Sequence, residues 1–87
     1  MRPGTKVLVQ PQRLFANHPG IRFDSSQATA VLFAPRGASG EVLRVSDDRS
    51  ECLVELHWND SGRAAPGAGH AWRIWVKREW FGQLLVK

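Results

Sequence analysis

Hydrophobic and polar positions alternate most regularly in the second half of the chain. In Glu51-Cys52-Leu53-Val54-Glu55-Leu56-His57-Trp58, one side of a strand carries Cys52, Val54, Leu56 and Trp58. The other side carries Glu51, Leu53, Glu55 and His57, so the first set is the predicted core face. Gly40-Glu41-Val42-Leu43-Arg44-Val45 reads as a partner strand. The polar stretch Asp47-Asp48-Arg49-Ser50 joins the two into a predicted β-hairpin. His70 to Lys77 is a third strand, with Trp72, Ile74 and Val76 inward and Arg73, Trp75 and Lys77 outward. Arg78-Glu79-Trp80-Phe81 reads as a tight helical turn and Gly82 to Val86 as a short closing strand. Trp80 and Phe81 are expected to plug one end of the core.

The first half is less regular. Lys6-Val7-Leu8-Val9-Gln10 is a predicted strand between Pro3-Gly4 and Pro11, with Val7 and Val9 on one side and Leu8 on the other. Residues 11 to 23 show no clear period. Asn17-His18-Pro19-Gly20 is a turn signal, because proline presets φ and glycine accepts positive φ. Leu14, Phe15, Ile21 and Phe23 are expected to fold back over the core. Asp24-Ser25-Ser26-Gln27 suits the cap of a short helix running through Ala28, Val31 and Leu32. Thr29 to Phe33 reads equally well as a strand, and Pro35, Gly37 and Gly40 then interrupt whatever precedes them. Residues 59 to 69 form a long loop, readable as a plain hairpin tip or as a binding loop.

This order of strands resembles the SH3-like small β-barrels, the group that includes Tudor-like and KOW-type modules. The residues that carry the likeness are Gly4-Thr5-Lys6-Val7, Gly40-Glu41-Val42, Val54 to Trp58, and Trp75-Val76-Lys77-Arg78-Glu79-Trp80-Phe81. The resemblance implies a mainly β fold: a single domain over residues 1–87, built as a five-stranded barrel. A long irregular loop or short helix would then separate the first two strands. Within that architecture, Gly4 to Val9, His18-Pro19, Phe23-Asp24 and Gly40-Glu41-Val42 are similar to the variable subunit of ferredoxin–thioredoxin reductase. That subunit is a non-catalytic barrel docked on a catalytic partner. The plasmid-type dihydrofolate reductases are SH3-like barrels too, with one active pore per tetramer. Their pore strand reads Val-Gln-Ile-Tyr, and the nearest stretch here, Trp72-Arg73-Ile74-Trp75, lacks the Gln and the Tyr.

Composition narrows the function classes. The 87 residues fit one domain, and Val, Ile, Leu and Phe number 22, enough for a folded core rather than disorder. A single cysteine, Cys52, cannot form an internal disulfide, and no secretory or membrane-spanning segment is legible. The expectation is a cytoplasmic protein without membrane contact. The net charge is +4, with five cations and one acid in residues 1 to 40 and seven of each in residues 41 to 87. The excess therefore lies in Arg2, Lys6, Arg13, Arg22 and Arg36. These form either a plain solvated surface or a set of phosphate contacts.

Candidate chemistry is sparse. His18, His57 and His70 stand at no metal-ligand spacing, and no cofactor motif is present, so neither metal nor cofactor is expected. Asp47, Asp48 and Glu51 cluster at a hairpin turn, where acid/base work lacks the cleft it needs. Ser25 and Ser26 sit in no nucleophile elbow, and Cys52 points inward. The chain is therefore expected not to be an enzyme. What stands out is Trp75 between Arg73 and Lys77, with Glu55 and His57 on the same face of the next strand. That group suits a protein contact or a stacked base. Alternatively, Glu55 pairs with Arg73 or Lys77, and the 11–38 segment or another subunit covers Trp75. The leading expectation is a non-catalytic interaction module that binds a protein or another copy of itself. The alternatives are a nucleic-acid-binding barrel and a small oligomeric enzyme with its site on a symmetry axis.

Overall fold

A computed structural model of the chain describes residues 2–24, 31–59 and 69–86. The elements in order are β1 (Lys6–Val9), β2 (Arg13–Phe15), β3 (Ile21–Phe23), β4 (Phe33–Pro35), β5 (Ser39–Val45), β6 (Glu51–Asn59), β7 (Gly69–Lys77), α1 (Arg78–Leu84) and β8 (Leu85–Val86). Six strands form one antiparallel sheet in the order β3-β7-β6-β5-β1-β8, while β2 and β4 pair as a separate ribbon. The sheet curls into a half-barrel, so the mainly β class is as expected.

The long strands follow the alternation in the sequence. On β6 and β7 the cross-strand pairs Cys52 with Val76, Val54 with Ile74 and Leu56 with Trp72 all lie buried on the concave face. Slipping the register by one residue would turn this whole set to solvent, which is what fixes the pairing. On β5 the register shifts between Val42 and Arg44, leaving Leu43 without an opposite residue on β6. This bulge lets Val42 and Val45, three residues apart, both face the core. Gly40 is paired on both sides, to Val7 on β1 and Leu56 on β6. A Cβ there would collide with the Glu55 carbonyl, so the sheet's close approach at this point requires glycine.

The segment from residue 11 to 38 supplies the sheet's sixth strand as well as the ribbon. It contains three strands of three residues each, too short to display a period. Leu14 and Ala34 seal the core from the ribbon, and Ile21 does so from β3. Phe23 packs edge-on against Trp72 with ring centroids 5.0 Å apart. Phe15, expected over the core, instead points outward and is 48% exposed. Strand alternation explains the correction, because Leu14 takes the inward place and its neighbour must take the outward one. The helix expected after Asp24 falls largely on residues 25–30, outside the described residues, as do residues 60–68 of the expected loop.

The chain end also differs from expectation. The helical turn at Arg78 continues as α1 through Gly82 to Leu84, and only Leu85–Val86 closes the sheet against β1. Phe81 and Leu84, three apart on the helix, are both buried, and that shared face extends the helix beyond the turn. Trp80 is half-buried beside them, with His18 edge-on at 4.8 Å. No described helix is long and apolar enough to cross a membrane.

Candidate functional site

Of the five residues singled out on the outer face, Glu55, Arg73 and His57 form one hydrogen-bonded group, Trp75 is engaged by Arg22, and Lys77 stands apart from both. Glu55 lies opposite Arg73 in the β6–β7 ladder, and its Oε2 accepts a hydrogen bond from Arg73 Nη2 at 2.8 Å. Its Oε1 lies 2.8 Å from His57 Nε2, two residues along the same strand. Hydrogen bonds from Arg73 and then His57 hold the Glu55 carboxyl below its ordinary pKa, against a weaker opposing effect of burial. The bond to Glu55 raises Arg73 in return. These charges are largely neutralised within the face.

Trp75 is half-buried and sits between Leu53 on β6 and Arg22 on β3. The Arg22 guanidinium carbon lies 5.3 Å from the centre of the indole ring. The same guanidinium donates from Nε and Nη2 to the two carboxylate oxygens of Glu51, at 3.2 and 3.1 Å. The part of Trp75 that Arg22 covers is covered from within 11–38, through β3. Leu53, outward by alternation, is nonetheless buried. Lys77 is exposed at the end of the row, opposite Glu51.

Three of the basic residues of the first half, Lys6, Arg22 and Arg36, adjoin these residues, while Arg2 and Arg13 lie against other parts of the surface. Lys6 pairs with Glu41 at 3.7 Å, and Arg22 is engaged as above. Arg36 lines an open groove with His57, Trp58 and His70, the last two with rings 5.5 Å apart. Arg2 is exposed and borders a depression that also holds Asp47 and Arg49. Arg13 lies over the Phe33 ring, 4.8 Å from its centre.

That last contact belongs to a surface the sequence reading missed. Phe15 and Phe33 are directly opposite on the ribbon, with ring centroids 6.1 Å apart. Phe33 is 37% exposed, and Leu32, next to it in sequence, is 75% exposed, so large apolar side chains stand in the open on the ribbon and directly beside it. Alternation in Arg13-Leu14-Phe15 and Phe33-Ala34-Pro35 was the available signal, but three residues are too few to reveal it.

The remaining candidates have structural duties. Asp48 Oδ1 accepts from the Ser46 hydroxyl at 2.8 Å and from the Ser50 hydroxyl and backbone N–H at 2.7 and 3.0 Å. These bonds, those from Ser50 foremost, lower its pKa to about 2, the opposite of what a general acid requires. His18 Nδ1 accepts from the Gly20 N–H at 2.9 Å in the expected turn. Cys52 is buried, and burial raises its thiol pKa. Among the described residues no group of three or more His, Cys, Asp or Glu side chains is placed to hold a metal ion. Comparison with protein-family models, curated proteins and solved structures finds no match for the chain.

Proposed function

We propose that the chain is a non-catalytic, SH3-like interaction module that assembles with a second copy of itself through the outward face of the β2–β4 ribbon. The observation that carries this reading is the exposed Phe15–Phe33 pair flanked by Leu32 and Arg13. Two features favour a second copy as the occupant. An antiparallel pair of strands has a local two-fold axis normal to its face, so opposed Phe15–Phe33 pairs meet as Phe33–Phe15 pairs in an isologous contact. The free sheet edges, β3 and β8, are three and two residues long, which leaves little backbone for edge-to-edge association. The curled antiparallel sheet supports the SH3-like part of the reading.

The nucleic-acid alternative has less support. A base stacking on Trp75 would have to displace Arg22 from the ring and from Glu51. Lys6 likewise already faces Glu41.

Sedimentation velocity across about 1 to 100 µM tests the proposal, a range that brackets micromolar association. The native chain is expected to move from the mass of one chain to that of two. The F15S/F33S double variant should stay at one, its fold preserved because Leu14 and Ala34 are the ribbon's inward anchors. A native chain that keeps a single-chain mass throughout refutes self-assembly.

A further inference from the structure

Away from the ribbon, a half-open cleft of about 560 Å³ lies between the β5–β6 turn and α1. Its apolar lining comes from Val45, Cys52, Phe81 and Leu85, and two arginines, Arg49 and Arg78, border it. The backbone brings these cations to the same end of the molecule, since Arg78 N–H donates to the Ser50 carbonyl at 2.9 Å. Neither guanidinium has an ion-pair partner among the described residues. Among the described residues no carboxylate lines the cleft. The nearby acids are otherwise placed. Asp48 is bound by Ser46 and Ser50, Asp47 borders the neighbouring depression with Arg2, and Glu79 is exposed on α1.

Arg49 carries a second signal. Its φ is 60°, a left-handed conformation in which glycine would be free of strain. The turn holds it there through the Arg49 N–H bond to the Ser46 carbonyl at 2.9 Å and the Asp48–Ser50 bonds. A cation carried on a held backbone at the border of an apolar cleft is a recognition arrangement: the cleft takes the hydrocarbon and the guanidinium takes the head. The volume falls in the range of small-molecule sites.

We infer that this cleft binds a small amphiphile with an oxyanion head, carboxylate or phosphate, held by Arg49 and Arg78 over an apolar body seated against Phe81 and Leu85. The inference does not depend on the ribbon reading, because the two sites share no residue.

The test is titration of the isotope-labelled full chain with decanoate and with decyl phosphate, below micelle formation, following backbone amide signals. Decanol and decyltrimethylammonium serve as neutral and cationic controls. Saturable shifts at Cys52, Gly82 and Val86 are expected from one or both anions, and the tighter one identifies the head. R49A/R78A should weaken binding at least about tenfold. G82L, which adds a bulky side chain at a residue lining the cleft, should weaken it as well, and a Cβ there meets no obstacle within 4 Å. Both variants are expected to keep the native amide pattern elsewhere. Binding of decanol as tight as that of the anions overturns the inference. So do shifts centred on another surface, an unchanged affinity in R49A/R78A, or no saturation by about 1 mM.

Discussion

The same chemical change, one added methyl group, should have opposite signs at two glycines. Gly40 lies in the middle of the sheet, bonded to β1 and β6, and a Cβ there would collide with the Glu55 carbonyl. That obstacle is backbone, which cannot rotate away, so Gly40→Ala must separate β5 from β6 locally. Forcing one extra carbon into a packed site costs about 1–3 kcal/mol. Because the obstacle is backbone the cost lies in the upper part of that range, about 2–3 kcal/mol, and the reduced freedom of the unfolded chain returns about 0.4–1 kcal/mol, leaving a net loss of about 1–2.6 kcal/mol. Gly82 lies within α1, where an added Cβ meets nothing within 4 Å. Gly82→Ala should therefore stabilise by about 0.5–1 kcal/mol through helix propensity. Urea unfolding followed by tryptophan fluorescence gives both values. In thermal melts each kcal/mol corresponds to about 4–8 °C at this chain length. A Gly40→Ala variant within about 0.5 kcal/mol of the native chain would refute the close-approach argument, since that is the range of a neutral surface change.

Other expectations follow from individual contacts. Arg22→Ala uncovers Trp75, so its emission should shift to longer wavelength, and a double-mutant cycle with Trp75→Leu should give a coupling of about 0.5–1 kcal/mol. A cycle near zero would mean the stacking contributes nothing. Asp48 and Glu55 both have folded-state pKa values below their ordinary ones, Asp48 at about 2. Their contribution to stability is therefore complete above the ordinary carboxylate range and is lost as pH falls through the folded values. Melting temperature should stay level down to about pH 5 and fall from there toward pH 2. Asp48→Ala should flatten the lower part of that fall, and an unchanged profile would contradict the turn network. Buried Cys52 should react slowly with a thiol reagent at pH 8 in the folded chain and quickly in urea. Immediate reaction in the folded state would contradict its placement.

Legibility tracked element length. Across β6 and β7, nine residues each, alternation assigned Cys52, Val54, Leu56, Trp58, Trp72, Ile74 and Val76 to the core; all are buried there except Trp58, which is half-buried against it near the strand end. That Glu55 shares a face with Arg73 and Lys77 was also readable, because adjacent antiparallel strands place residues of known parity on the same face, and the β6–β7 register then selects Arg73. At the chain end the turn at Arg78 was readable, but its continuation through Gly82 was not. Glycine is a poor helix former, and here the buried face of Phe81 and Leu84 outweighs that preference.

The outer surface depended on contacts distant in sequence. Arg22 and Trp75 are 53 positions apart, and only the pairing of β3 with β7 puts one over the other. Phe15 and Phe33 likewise meet through β2–β4 pairing, and the bond from Arg78 to Ser50 brings Arg49 and Arg78 to the border of one cleft. The sequence by itself determined the strand-forming second half, its buried face, the hairpin turn and the excess of positive charge in residues 1 to 40. Those properties depend on side-chain period and local turn chemistry, which act over a few residues. Tertiary structure alone decided which tryptophan is covered, which cations are neutralised and where apolar surface remains in the open. Those outcomes depend on which short strand pairs with which long one, and three residues carry too little pattern to specify a partner.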